Sequence, residues 1–119
     1  MFRLLLLVTC LSFCLLSCNS EEVCEINNFI ETWSGQLECN TNDDFVSIDI
    51  TSLNDTMINV NYDGITIESD VNSCNFDGVY TEAERTITII GEYQDTVLDI
   101  TINDVKFIEK SCSGQLTRG

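Results

Sequence analysis

Apolar and polar residues alternate along most of the chain that follows Trp33. In one run, Val46, Ile48 and Ile50 are each separated by one polar residue. This period of two is typical of an antiparallel strand that turns one face to a core and the other to water. The pattern therefore predicts an all-β domain. The residues predicted to face inward are Val46, Ile48, Ile50, Ile58, Val60, Tyr62, Ile65, Ile67, Phe76, Ile87, Ile89, Leu98, Ile100, Ile102 and Phe107.

A different period precedes the strands. Over residues 21–31 and on to Trp33, apolar residues recur at spacings of three and four, among them Ile26, Phe29 and Ile30. This spacing predicts a short amphipathic helix, or one helical turn, that leads into the first strand. We expect Trp33 to plug the base of the core.

Turn signals separate the strands and indicate how they connect. Asp63-Gly64 predicts a two-residue hairpin turn of the primed type, and Asn103-Asp104 predicts a similar turn between Ile102 and Val105. Looser turns are predicted at 40–44, 54–55, 72–75 and 94–95. The result is seven or eight short strands in meander order. A closed or nearly closed up-and-down, lipocalin-like barrel suits this pattern because closure removes exposed edges, and a two-sheet β-sandwich is the alternative.

One short sequence occurs near both ends of the domain. Ser34-Gly35-Gln36-Leu37 recurs as Ser113-Gly114-Gln115-Leu116. We infer that the first and last strands meet and close the barrel as an antiparallel pair. Cys39 would then lie beside Cys112, which leaves Cys24 to pair with Cys74. A Cys39–Cys74 bond is the next alternative.

The four cysteines of the predicted domain, Cys24, Cys39, Cys74 and Cys112, indicate disulfides and not a zinc site. An even number in a small exported domain is typical of disulfides. The sequence contains no histidine, and no two of the four are spaced Cys-x-x-Cys. Both features argue against a zinc site.

The amino-terminal segment predicts export. Arg3 introduces an apolar run that ends in Leu15-Leu16-Ser17-Cys18. This run is too short to span a bilayer, and its ending resembles the bacterial lipobox. We therefore expect residues 1–17 to be a signal peptide that is removed, Cys18 to carry the lipid, residues 18–22 to form an acidic tether and 23–119 to form the domain. Cleavage by an ordinary signal peptidase, which releases a soluble secreted protein, is the alternative.

Charge restricts the partners of the chain. The formal net charge is −15, and all the acidic residues follow residue 17. A negative field opposes binding to nucleic acid and to anionic headgroups. A cationic partner or bound cations would suit this charge, although a solvated surface explains it equally well.

Two motifs resemble a known family. Trp33-x-Gly35-x-Leu37-x-Cys39, with Cys112-Ser113-Gly114-Gln115-Leu116-Thr117 at the other end, resembles small lipocalin-like lipoproteins of Bacteroidota. The resemblance implies one lipid-anchored barrel at the outer membrane, on the cell surface or the periplasmic face. Asp55-Thr56-Met57 and Asp95-Thr96-Val97 resemble the Asp-Thr-apolar O-glycosylation sites of these bacteria, which would modify Thr56 and Thr96; the alternative is that Asp-Thr simply starts a strand after a turn. The chain departs from the family in Cys24 and Cys74 and in its few lysines.

Motifs for catalysis and cofactors are missing from the sequence. Without histidine, Ser-His-Asp and Cys-His arrangements are excluded, and no glycine-rich loop opens a helix to hold phosphate. Residues 70–78 and 40–44 carry oxygen donors, but their spacing does not fit an EF-hand loop. We therefore predict a non-catalytic module that needs no cofactor or metal and binds a protein or glycan partner. The large inward side chains predict a filled interior, and a carrier of a small apolar ligand is the alternative.

Overall fold

The computed structural model describes residues 24–119, which form one helical turn followed by eight antiparallel strands. The strands pair in chain order and β1 also pairs with β8, so the sheet closes into a barrel. The predicted all-β barrel is thus confirmed, and the sandwich alternative is wrong. The elements are α1 (Ile26–Phe29), β1 (Thr32–Cys39), β2 (Asp44–Ser52), β3 (Met57–Tyr62), β4 (Ile65–Asn72), β5 (Asn75–Glu82), β6 (Arg85–Gln94), β7 (Val97–Val105) and β8 (Glu109–Arg118).

The two ends of the barrel are built differently. Because successive strands run in opposite directions, their connections alternate between the ends. One end, here called the closed end, carries α1 and the connections at 53–56, 73–74 and 95–96. The other, here called the open end, carries the connections at 40–43, 63–64, 83–84 and 106–108.

Side chains fill the interior between the two ends. Every strand from β1 to β8 contributes at least one fully or nearly fully buried apolar side chain. Space above glycines is also occupied, since a β-carbon added to Gly91 would overlap the ring of Phe76. Large side chains packed in this way leave a small barrel without an internal cup.

An aromatic cluster plugs the closed end. Phe29 and Trp33 are both fully buried, and the Trp33 indole Nε1 donates a hydrogen bond to the Phe29 carbonyl oxygen at 2.9 Å. The Phe29 ring meets Phe76 and Tyr93 edge to face, with centroids 5.7 and 6.0 Å apart. The Arg118 guanidinium covers the Trp33 ring at 5.1 Å. Trp33 is therefore the core plug that the sequence predicted.

The repeated motif lies at the seam between β1 and β8 and explains why its residue types recur. A β-carbon on Gly35 would lie 3.2 Å from Leu116, and one on Gly114 would lie 2.9 Å from Leu37. The two copies are thus related by a local twofold arrangement, in which each glycine leaves room for the leucine of the other copy. The prediction that the first and last strands meet is confirmed.

Two disulfides are formed, and they are the pairs that the sequence favoured. Cys39 and Cys112 are opposite each other across the seam, with their Cα atoms 4.0 Å apart. The second bond joins Cys24 to Cys74, with a Cα separation of 5.0 Å. It attaches the segment before α1 to the β4–β5 turn at the closed end.

One predicted turn and one predicted core residue are wrong. β7 continues through Asn103 and Asp104 to Val105, and the chain reverses over 106–108. Phe107 therefore lies in the turn with 80% of its surface exposed. Cross-strand pairing explains the difference, because Asp104 binds Arg85 of β6 and the Asn103 side chain accepts a hydrogen bond from Ser111 of β8. These contacts outweigh the turn preference of Asn-Asp.

The Gly35–Leu116 contact predicts that Gly35→Ala destabilises the barrel. The added β-carbon would lie 2.8 Å from the Gln115 carbonyl oxygen, so the seam must shift. We expect a loss of about 1–3 kcal/mol in the free energy of unfolding, measured by urea denaturation with the disulfides intact. Ser113→Ala, at an exposed position of the same seam, is the control and should change stability by less than about 0.5 kcal/mol. Equal stability of the two variants would show that the seam accommodates the added methyl group without strain, which would contradict the prediction.

Candidate functional site

At the open end, the inward row of side chains changes from apolar to charged. Asp44 and Arg85 each stand two residues before a buried aliphatic residue of the same strand, so they point to the same side of the sheet. Asp104 stands two residues after buried Ile102 on β7, and Lys110 two residues before Cys112 on β8. Four strands thus place charges together at one mouth of the barrel.

Arg85 organises the centre of this group. Its Nε donates to Asp104 Oδ1 at 2.9 Å and its Nη2 to Asp104 Oδ2 at 2.7 Å, which makes a two-point ion pair. The same Nη2 also donates to Asp63 Oδ2 at 3.1 Å. These hydrogen bonds raise the pKa of Arg85, so the guanidinium stays charged at any physiological pH.

A second ion pair lies across the mouth. Lys110 Nζ donates to Asp44 Oδ2 at 2.8 Å. This hydrogen bond, assisted by the opposite charge, lowers the pKa of the Asp44 carboxyl and raises the pKa of the Lys110 amine. Both groups are therefore ionised at neutral pH, and about half of the Asp44 side chain is exposed.

Tyr62 lies between the two ion pairs. It ends β3, directly before the Asp63-Gly64 turn, where φ is +52° and then +76° as a primed hairpin turn requires. Only 8% of the Tyr62 side chain is exposed. Burial raises the pKa of its phenol, and the charge of Asp104 raises it further. The Tyr62 hydroxyl makes no hydrogen bond within residues 24–119, but it reaches solvent, since every enclosed side-chain oxygen and nitrogen in that range has a partner.

These groups surround a cleft of about 270 Å³, here called the mouth cleft. Its lining is Asp44–Ser47, Tyr62, Asp63, Asp104 and Lys110. A neighbouring cleft of about 300 Å³ shares Asp63, Asp104 and Lys110 with it and reaches the exposed turn at Lys106 and Ile108. The mouth cleft therefore offers ionised hydrogen-bond donors and acceptors around the Tyr62 phenol, whose ring is buried and whose hydroxyl reaches solvent.

The chemistry of the mouth cleft is that of hydrogen bonding. The carboxylates of Asp44, Asp63 and Asp104 each have a cationic partner already. In the described part of the chain, no three His, Cys, Asp or Glu side chains are grouped as metal ligands would be. The geometry suits a ligand that both donates and accepts hydrogen bonds.

The residues predicted as sites from the sequence lie elsewhere. Cys18 falls outside the described residues, so its lipidation stays a prediction. Thr56 and Thr96 are exposed in connections at the closed end, and their glycosylation also stays a prediction. The stretch 70–78, weighed above for calcium, forms the β4–β5 hairpin. Within residues 24–119, no helix has the length and apolar character needed to cross a bilayer.

The sequence did carry one signal for the mouth cleft. Arg85, Asp104 and Lys110 continue the inward period of their strands, and charges in such positions require partners. Reading this signal needs the register between strands that are distant in the chain, which alternation alone does not supply.

Comparisons of the chain with protein-family models, with curated protein sequences and with solved structures found no match.

The Lys110–Asp44 pair predicts how Asp44 titrates. Its pKa lies below the ordinary value of 3.8 because of Lys110, so Lys110→Met should raise the pKa toward 3.8. The pair stabilises the fold above pH 3.8, and this contribution is lost as the pH falls through the folded-state pKa. The carboxyl carbon resonance of Asp44, followed by NMR against pH, measures the change.

Lys106→Met is the matched control, since Lys106 forms no ion pair within the described residues. It removes the same charge from the same end of the barrel. If both variants move the pKa of Asp44 equally, the general field and not the hydrogen bond determines it.

Proposed function

We propose that this chain is a membrane-anchored bacterial lipoprotein of the cell surface or periplasmic face, and that its barrel is a non-catalytic interaction module. A lipid on Cys18 would hold it at the outer membrane, and the open end would meet the partner. The sequence motifs resembling Bacteroidota lipoproteins support the location. The filled interior supports the mode of action.

The filled interior is the observation that carries the proposal. Ile58, Val60, Ile87, Ile89 and Leu98 come from three strands, β3, β6 and β7, and are all fully buried. A barrel that packs its own side chains at its centre has no room there for a ligand. A partner would therefore have to bind at the outer surface. This argues against the alternative function as a carrier of apolar molecules.

The proposed anchor also orients the domain. The Cys24–Cys74 bond fixes the start of the described chain at the closed end. Six residues from Cys18 to Cys24 reach at most about 22 Å when extended. A lipid on Cys18 would therefore keep the closed end near the membrane and leave the open end free to face a partner.

The negative charge of the chain restricts the kind of partner that the open end can bind. The whole chain carries a net charge of −15, and Arg85, Lys106 and Lys110 gather at the open end. Partners with dense negative charge, such as nucleic acid, are repelled by this net negative charge. A protein or glycan partner at the open end is consistent with this distribution.

The packed core predicts a large cost for Ile89→Ala. Removing the buried side chain should lower the free energy of unfolding by about 2–5 kcal/mol, because the tight surroundings cannot collapse into the space. Urea denaturation measures it. Ile90→Ala, at the half-exposed next position on the outer face, should cost much less. A small loss for Ile89→Ala would indicate an open interior and favour the carrier.

Mass spectrometry of protein purified from the membranes of its own host tests the anchor. We expect added mass on Cys18 that survives denaturation, and its loss in Cys18→Ala. Unmodified Cys18 in membrane-derived protein would overturn the lipoprotein proposal. An added mass that leaves on denaturation would instead favour the carrier.

A further inference from the structure

The outer face of β5 to β8 contains a patch of uncharged side chains that are neighbours across the strands. Although the chain carries 20 acidic residues, the outward positions between Glu92 and the open end are neutral. This patch, here called the neutral face, consists of Val79, Thr81, Thr86, Thr88, Ile90, Thr101, Asn103, Val105, Ser111 and Ser113. The charges that keep copies of the chain apart are therefore absent from this part of the barrel wall.

The neutral face also exposes apolar surface. Val79 and Ile90 have 63% and 50% of their surface exposed. Val79 pairs with Thr88, two residues from Ile90, so the two apolar side chains are diagonal neighbours on adjacent strands. The buried centres of protein interfaces are poor in charged residues and richer in apolar ones. The neutral face has this composition.

The two edges of the neutral face carry opposite charges. At the edge nearer the closed end, Glu92 and Asp99 are direct cross-strand neighbours, and neither has a cationic partner within residues 24–119. Like charges opposite each other destabilise a strand pair, so a cation beside them would be favourable. At the open-end edge, Lys106 forms no ion pair in the same part of the chain.

The two edges are complementary in shape as well. Lys106 is followed in its turn by Phe107 and Ile108, whose side chains are 80% and 75% exposed. At the other edge, a groove of about 370 Å³ runs beside Glu92 and Asp99, with Ile90 in its lining. One edge thus offers a cation and two apolar side chains, and the other offers two carboxylates and a groove.

A single copy cannot bring its own two edges together. Asp99 and Lys106 are about 20 Å apart along β7. A twofold axis in the plane of the contact and perpendicular to the strands turns a second copy antiparallel, so that each edge meets the opposite edge of the other copy. A parallel arrangement would instead place Glu92 and Asp99 against the same carboxylates of the second copy.

We propose that the neutral face binds a second copy of this chain as an antiparallel, twofold-symmetric dimer. Lys106 of each copy lies beside Glu92 and Asp99 of the other, and the Phe107-Ile108 tip lies at the groove. The dimer goes beyond the proposed function and does not depend on a lipid at Cys18.

Analytical ultracentrifugation of the detergent-solubilised full chain from its own host measures the dissociation constant of the dimer. We expect Glu92→Lys to raise it roughly tenfold, because two symmetric attractions become repulsions. The general field predicts the opposite sign, since this change brings the net charge of −15 two charges nearer to zero and so favours non-specific association. Combining Glu92→Lys with Lys106→Glu should restore tighter binding than either single change.

Glu68→Lys is the matched control, because it makes the same charge change at an exposed position of β4, away from the neutral face. It should not weaken the dimer. Equal weakening by Glu68→Lys and Glu92→Lys, or tighter binding by Glu92→Lys, would overturn the proposed contact.

Carbodiimide cross-linking locates the contact independently. The reagent joins an amine to a carboxylate that touches it, and the Lys110–Asp44 pair at 2.8 Å provides an internal reference within one copy. We expect a cross-link from Lys106 to Glu92 or Asp99, which only two copies can form. A chain that stays monomeric up to about 1 mM, or that gives the reference product without the Lys106 product, contradicts the dimer. Lipidation of Cys18 is measured separately, so either result leaves the lipoprotein proposal standing.

Discussion

Closure of the sheet between β1 and β8 is the constraint on which the rest of this structure depends. An open eight-stranded meander would expose two edges and would leave its apolar face without a cover. Gly35 leaves space for the Leu116 side chain and Gly114 leaves space for Leu37, so two strands that are far apart in the chain approach closely. The Cys39–Cys112 bond then holds the seam at the open end. Because the seam is closed, one interior exists, and its two ends can differ.

The closed end carries aromatic side chains and the open end carries ions because the two ends differ in their access to solvent. Trp33 lies under α1, where solvent is excluded, and its one polar atom is satisfied by the Phe29 carbonyl. Arg85 and Asp104 lie where the strands end, close enough to solvent that burial costs little once they are paired. The same inward row can therefore carry aromatic rings at one end and ions at the other. The plugged end and the charged end are separated by the length of a strand.

Alternation and local turn chemistry predicted most of the fold, and register decided the rest. The two-residue period predicted the barrel, Asp63-Gly64 predicted its hairpin, and the repeated motif predicted the seam. The turn predicted at Asn103-Asp104 was wrong because turn preference is a local property, whereas the ion pair from Asp104 to Arg85 joins two strands. The mouth cleft was missed for the same reason: its members are dispersed over the chain from Asp44 to Lys110, and pairing in space gives them their meaning.

A packed barrel also limits where binding can occur. Filling the interior contributes the apolar burial that a small domain needs to offset its chain entropy, so a cavity at the centre would weaken the fold. Function is better placed where packing has already ended. Tyr62 lies at that boundary, with its ring in the apolar interior and its hydroxyl open to solvent beside the ion pairs. In this barrel, the boundary between core and mouth is where a polar group can reach solvent or a partner at little cost to stability.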